Sequence, residues 1–273
     1  MGIEAFRNQL EKIDLEILKF LNLRMKLAQE IGEKKKFYGY PILDTYREDR
    51  HLKNLKEINP GPLQDKNLEG IYREIFSSSR CQQGGLRIGC PQKHFLPCLL
   101  ASLFRFGSSS TFIPISLDEE NQTQKDKEHE VDTIVLSTPY LVDRLKEKRA
   151  ALPFHFFSFS LAGEIDLSSL FPHLQIEKHF FFFQNRSIPK ENVDYKTVLL
   201  IGGSTISHCL FEKWIENQKA KIIFLENDLQ NPQNRLYLLE KTTKEHNNEE
   251  IEYSWKKFTG GQGWIILIGS YPL

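Results

Sequence analysis

Arg7, Leu10, Asp14, Ile17, Leu21, Arg24, Ala28, Ile31 and Lys35 follow one another at alternating steps of three and four residues. That is the repeat of one helical seam. A seam whose only task is packing should be apolar throughout, yet this one carries the cations Arg7, Arg24 and Lys35. A parallel line of Phe6, Ile13, Phe20 and Leu27 supplies ordinary core material. Cations on a core face are costly unless they meet anions. Asp14 can answer one of them, and the others require carboxylates from elsewhere in the fold or from a ligand. Two further segments repeat the habit. Asp44, Arg47, Glu48 and His51 share a face by three- and four-residue steps. Leu68, Tyr72, Ile75, Ser79 and Gln83 form a stripe that turns polar at its last two members. A lone charge on such a stripe is usually a surface ion pair. That reading weakens when three successive segments each place polar groups on their apolar stripes.

The elements that must position these groups are legible. From Ile3 to Phe37 there is no Pro and a single Gly, at position 32, which predicts one helix ~50 Å long at about 1.5 Å per residue. A small domain cannot cover both ends of such a helix, so it needs a partner, and two copies packed through it predict a homodimer. Tyr38-Gly39-Tyr40-Pro41 stops it. Asp44 is placed to cap a second helix over Thr45 to Glu57. Asn59-Pro60-Gly61-Pro62 ends that one, and a third helix is expected from Asp65 to Gln83.

Beyond Gly84-Gly85 the chain changes to short, Phe-rich and β-branched runs between Pro, Gly and polar clusters. The stretch from Asp118 to Glu130 reads as a solvated loop or frayed helix. With 36 basic and 36 acidic residues in 273, the chain has no global field to steer it onto nucleic acid or an anionic membrane. No apolar run approaches the roughly 18 residues of a bilayer span, and the N-terminus lacks a targeting layout, so a cytoplasmic protein is expected. Cys81, Cys90, Cys98 and Cys209 have no metal-ligand spacing, and each reads as a reduced, buried or bystander thiol.

Residues 1–84 resemble the all-helical chorismate mutase family, in particular the module at the front of bifunctional chorismate mutase/prephenate dehydratases. The pattern that carries the likeness is Arg7, Asp14, Arg24, Ala28, Ile31-Gly32 and Lys35, then Pro41, Asp44 and Arg47-Glu48, then Ser79 and Gln83. The resemblance implies rearrangement of chorismate, a dicarboxylate, to prephenate within one molecule, with no nucleophile, metal, cofactor or acid–base relay. Catalysis would come from gripping both carboxylates in the reactive conformer and from donors at the breaking ether oxygen. By resemblance Arg24 and Arg47 bind carboxylates in one subunit and Arg7 reaches in from the other. Lys35 and Gln83 donate to the ether oxygen. Glu48 accepts from the ring hydroxyl, and Asp44 and Ser79 orient the substrate or its ligands. Gln83 is a neutral donor, so the rate should not depend on protonating it.

The remainder resembles a worn bifunctional enzyme. The expected architecture is multidomain. An all-α three-helix mutase forms an intertwined dimer at 1–84, a shortened α/β dehydratase-like domain covers 85–190, and an α+β ACT-like domain covers 191–273. The last is read from a βαββαβ order of the ferredoxin-like kind. Its strands are expected at 196–201, 221–225, 235–240 and 264–268, and its helices at 207–217 and 249–257. In the middle region strands are expected at Arg87 to Gly89, Thr111 to Pro114 and Asp132 to Ser137, with a helix after Phe95. Lys178-His179-Phe180 stands where the dehydratase family has Thr-Arg-Phe, leaving His179 as the candidate replacement acid. His208-Cys209-Leu210 and Glu226-Asn227-Asp228-Leu229 replace the ACT signatures. Three functions follow as expectations. The first is a chorismate mutase with non-catalytic C-terminal domains. The second is an active bifunctional mutase/dehydratase making phenylpyruvate. The third is a regulatory or partner-binding protein with a vestigial mutase site.

Overall fold

The computed structural model describes residues 2–116, 131–147, 159–173, 177–185, 193–203, 208–227, 235–243, 251, 253–255, 257 and 264–273. The polar stretch 118–130 lies outside them, as do Asp228 and Leu229. The chain divides into two compact units, one of residues 1–90 with 99–132 and one of residues 91–98 with 133–273.

The first unit opens on α1 (Ile3–Tyr38), α2 (Thr45–Ile58) and α3 (Asp65–Gln82). Gly39 closes α1 in the left-handed conformation, φ 70°, and its N–H reaches the carbonyls of Lys35 and Lys36. Asp44 caps α2, its carboxylate accepting from the Arg47 amide at 3.1 Å. Both α1 and α2 pack on α3. The seam of α1 is half used within one chain. Arg24, Ala28, Ile31 and Lys35 are buried or half-buried, whereas Arg7, Leu10, Asp14 and Ile17 are exposed. Packing on α3 therefore accounts only for the C-terminal half of the helix.

The unit continues through β1 (Arg87–Pro91), the C-terminal part of α4 (Phe95–Phe106) and β2 (Thr111–Ile115), with β1 beside β2. A short 3-10 turn at Gln92–His94 precedes α4. The segment after α4 packs on α3 through polar contacts. Ser108 donates to the Glu74 carboxylate from its amide at 3.1 Å and its hydroxyl at 2.7 Å. The Ser109 amide donates to Ser77 Oγ at 2.9 Å, and Arg73 donates to the Phe104 carbonyl at 3.3 Å. Helix α3 is thus buried on two faces. Phe76, Ser77 and Arg80 are buried besides Leu68 and Ser79 of the sequence-derived stripe.

In the second unit β3 (Thr133–Ser137) leads into α5 (Thr138–Glu147), a helix the sequence reading did not place. β4 (Ser160–Asp166) and β5 (His179–Gln184) follow, and β5 lies between β3 and β4, antiparallel to both. Val135 faces Phe182, and Ile165 faces Phe180. Phe180 to Phe183 are all buried, because a strand flanked on both edges and covered on both faces needs no polar alternation. A second sheet holds β6 (Tyr195–Gly203), β7 (Lys221–Asn227), β8 (Arg235–Thr243) and β9 (Trp264–Pro272) in the order β7-β8-β6-β9. Every pairing in it is antiparallel. α6 (His208–Gln218) and helical residues at 251, 253–255 and 257 supply its helices. Its core gathers Leu199, Ile201, Phe211, Trp214, Leu239 and Trp255, with the two Trp rings edge-to-face at 5.1 Å. Among the described residues no helix is long and apolar enough to cross a membrane.

Candidate active site

Helices α1, α2 and α3 border an open cavity of about 480 Å³, within the range of small-molecule sites. α1 contributes Arg24, Ala28, Ile31 and Lys35 on successive turns of its buried half, and α2 contributes Arg47, Glu48 and His51 from its first two turns. The end of α3 contributes Phe76, Ser79, Arg80 and Gln83. Gly32 makes the closure possible. A Cβ there would sit 2.7 Å from Gln83 Cα, so only glycine lets the end of α3 come this close to α1, one turn from Lys35.

The charge in the cavity is lopsided. Arg24, Lys35, Arg47, Arg50 and Arg80 line it against Asp44 and Glu48. Arg24 has no carboxylate partner among the described residues. It donates to Ser79 Oγ and, at 3.4 Å, to the Ile75 carbonyl, and it lies 5.6 Å from the centre of the Phe76 ring. Lys35 Nζ donates to the Ile42 carbonyl at 2.6 Å. Burial lowers the pKa of both groups; nearby carboxylates, Asp44 for Lys35 and Glu48 for Arg24, act the other way. The Arg47 guanidinium has no partner among the described residues, and the buried Gln83 carboxamide oxygen has none either. Arg24 and Lys35 are thus held by carbonyl and hydroxyl oxygens at the cavity wall.

The chain matches the family described as chorismate mutase type II over residues 6–84. Those residues carry every helix that lines the cavity. A bifunctional chorismate mutase/prephenate dehydratase of Aquifex aeolicus is 33% identical over 120 residues, covering 42% of this chain and 33% of that protein. The chain spans about a third of the length of the curated relatives it matches. A chorismate mutase structure from Thermus thermophilus is 35% identical, covering 30% of this chain and 93% of that one, with a TM-score of 0.30. A prephenate dehydratase from Streptococcus mutans is 13% identical over 68% of this chain and 97% of its own, with a TM-score of 0.38, a distance at which neither fold nor activity carries over.

Within residues 6–84, Arg24, Lys35, Asp44, Arg47, Glu48, Ser79 and Gln83 all line the cavity. Arg7 does not. It is exposed near the start of α1 and pairs with Glu4 at 2.6 Å. Ser79 faces the cavity but also bonds Arg24 and donates to the Ile75 carbonyl at 2.6 Å. Asp44 serves the α2 cap as well as the cavity. Sequence reasoning missed Gly32 as a packing requirement and missed Arg80 altogether. Arg80 follows Ser79 by one residue, about 100° round the helix, and so lies off the stripe that periodicity picks out.

The second unit holds its own polar cluster. His179 Nδ1 lies 3.0 Å from Thr138 Oγ1, and its Nε2 lies 3.2 Å from Glu164 Oε2. The Thr138 hydroxyl also contacts the His179 carbonyl at 2.8 Å and donates its one proton there. Its oxygen is then left to accept from Nδ1. Lys196 bonds Glu164 at 2.6 Å and Glu240 at 3.1 Å. Burial alone would raise the pKa of Glu164, but the bonds from His179 and Lys196 outweigh it and hold the carboxyl down at about 2. Of the cysteines, Cys81, Cys90 and Cys98 carry thiols outside any disulfide. Burial pushes the Cys90 thiol up to about 12, which leaves it unreactive.

Proposed function

We propose that this chain is a chorismate mutase that rearranges chorismate to prephenate in aromatic amino-acid biosynthesis, and that its C-terminal parts are non-catalytic. The observation that carries the reading is the cavity in residues 6–84, where Arg24, Lys35 and Arg47 face a void without carboxylate partners. Arg24 and Arg47 take the two carboxylates, since a planar guanidinium fork binds both oxygens of each. Lys35 and Gln83 donate to the ether oxygen as its bond to the ring lengthens and negative charge grows there. Glu48 accepts from the ring hydroxyl, while Asp44 and Ser79 hold the frame. The electrons move within the substrate, so the side chains select a conformer and stabilise charge.

The site is completed by a second copy of the chain. The first half of α1 leaves Phe6, Leu10, Ile13, Ile17 and Phe20 half exposed or more. That is an apolar face too long for the rest of the chain to cover. Two antiparallel α1 helices would bury it and carry Arg7 of each copy toward the other's cavity. The test is complementation. Arg7→Ala and Arg24→Ala are each expected to be inactive alone, and a mixture refolded together should recover activity, because one of the two sites in a mixed dimer escapes both lesions. No recovery would remove the shared site.

The region 85–190 is read as a degenerate dehydratase and 191–273 as ACT-like. The β7-β8-β6-β9 order with its antiparallel pairings supports the latter. Support for an inert middle region comes from His179, whose two nitrogens are both engaged by Thr138 and Glu164 and so offer no free acid. Free thiols agree with a cytoplasmic setting. The deciding experiment supplies chorismate to the purified chain and follows prephenate and phenylpyruvate. Prephenate without phenylpyruvate is expected. Absence of prephenate would sink the mutase assignment, and phenylpyruvate would restore the bifunctional one.

A further inference from the structure

Arg80 is the most buried charged residue of the mutase domain, only 2% exposed. Its Nη1 donates to Glu48 Oε1, and its Nη2 donates to the carbonyl of Phe106, the last residue of α4. Its Nε has no partner among the described residues. A buried guanidinium with an unfilled donor is a poor stabilising device, so a packing role does not account for it.

The carbonyl it grips is one that α4 itself leaves open at its C-terminus. Gly107 follows at φ 78°, and a Cβ there would meet Ser77 Cβ at 2.6 Å. Glycine therefore lets α4 end directly against α3, within reach of Arg80. Arg105 of the same helix forks onto Asp49, the neighbour of Glu48, at 2.9 and 2.7 Å. Two adjacent carboxylates of α2 are thus held by, or through, a helix that lies beyond the family match at residue 84.

We propose that Arg80 is a positioning residue: anchored on the end of α4, it aims the Glu48 carboxylate at the hydroxyl of the substrate and so sets selectivity for a hydroxylated ring. This rests on the mutase reading. It also makes α4 a working part of the mutase site rather than of the domain that follows. Glu48 keeps one oxygen on Arg80 and the other for the substrate, and a carboxylate fixed at one end accepts a hydrogen bond in one direction only.

The test compares chorismate with its analogue lacking the ring hydroxyl, using the full chain. The wild type must first turn over chorismate; if it does not, the mutase reading itself fails. With an active wild type, Arg80→Met should cut the ratio of kcat/KM for chorismate over the analogue by about 10-fold or more, the worth of a hydrogen bond to a charged acceptor. Arg80→Lys, which keeps the charge but reaches one partner at a time, should give a smaller cut in the same ratio and serves if Arg80→Met does not fold. A structural role would lower both substrates together. An unchanged ratio in the folded variants overturns the proposal while leaving the mutase intact.

Discussion

The cavity of the first unit and the Glu164 cluster of the second use the same side-chain types to opposite ends. Around Glu164 the charges close on one another. His179 and Lys196 take its two oxygens, and Lys196 and Lys221 share Glu240. In the cavity of α1, α2 and α3, Arg80 pairs with Glu48, but the other cations are left without carboxylate partners among the described residues. Arg24 and Lys35 rest on neutral oxygens, and the Arg47 guanidinium has no partner among the described residues. A closed set of ion pairs is a structural joint. An open set of like charges around a hollow is unfavourable without a ligand, and persists where a ligand supplies the missing charge.

The comparison breaks most sharply at Lys35. Lys35→Ala should raise the barrier to chorismate rearrangement by at least ~2.7 kcal/mol, about 100-fold in kcat, while Glu164→Gln should leave turnover unchanged. Steady-state rates on the two variants measure both halves. Normal turnover by Lys35→Ala would mean that the open cations are not the catalytic set. Gly32→Ala comes next. The added methyl collides with the Gln83 backbone, so Gln83 must retreat from Lys35. Displacement by about 1 Å is expected to cost up to about 100-fold in kcat. A crystal structure of the variant with Gln83 unmoved, together with lost activity, would refute that explanation.

The closed cluster answers to pH rather than to substrate. Glu164 is held at about 2, below its ordinary 4.5. Its pairs therefore contribute stability that is full above about 4.5 and is lost as pH falls toward about 2. Urea unfolding at pH 6 and at pH 3.5 should show the wild type losing more stability on acidification than Glu164→Gln. Equal slopes would show that the cluster contributes nothing that titrates there.

How much of this could be read from the sequence follows the same division. Helix-borne groups of the open site repeat at three- and four-residue steps, so Arg24, Lys35, Arg47, Glu48, Ser79 and Gln83 were visible as a set, together with the three helices that carry them. Arg80 was not visible, because its burial depends on α4, and no local period reports contact with a helix that comes later in the chain. Nor was the Thr138, His179 and Glu164 cluster. Its members come from a helix start and two strands, and β5 gives no alternation because both of its faces are covered. The last sheet was legible as strands and helices from punctuation by Gly, Pro and polar runs, whereas the order β7-β8-β6-β9 exists only in three dimensions.

The smallest effect is the one that ties charge to chemistry at Lys35. Burial lowers its pKa, with Asp44 only partly offsetting the loss of hydration. In the proposed role the ammonium donates to the ether oxygen, so the rate is expected to fall as pH rises through the lysine's own pKa. In free enzyme that limb lies below the ordinary 10.5, and it should appear in kcat/KM, which reports the free enzyme. Bound chorismate brings two carboxylates into the cavity and favours the ammonium, so the same limb in kcat should move to higher pH. Rates collected from pH 7 to 10.5 separate the two limbs. Coincident limbs would mean that the substrate's charges do not reach Lys35, and that the cavity, open as it is, does not hold the dianion beside its catalytic donor.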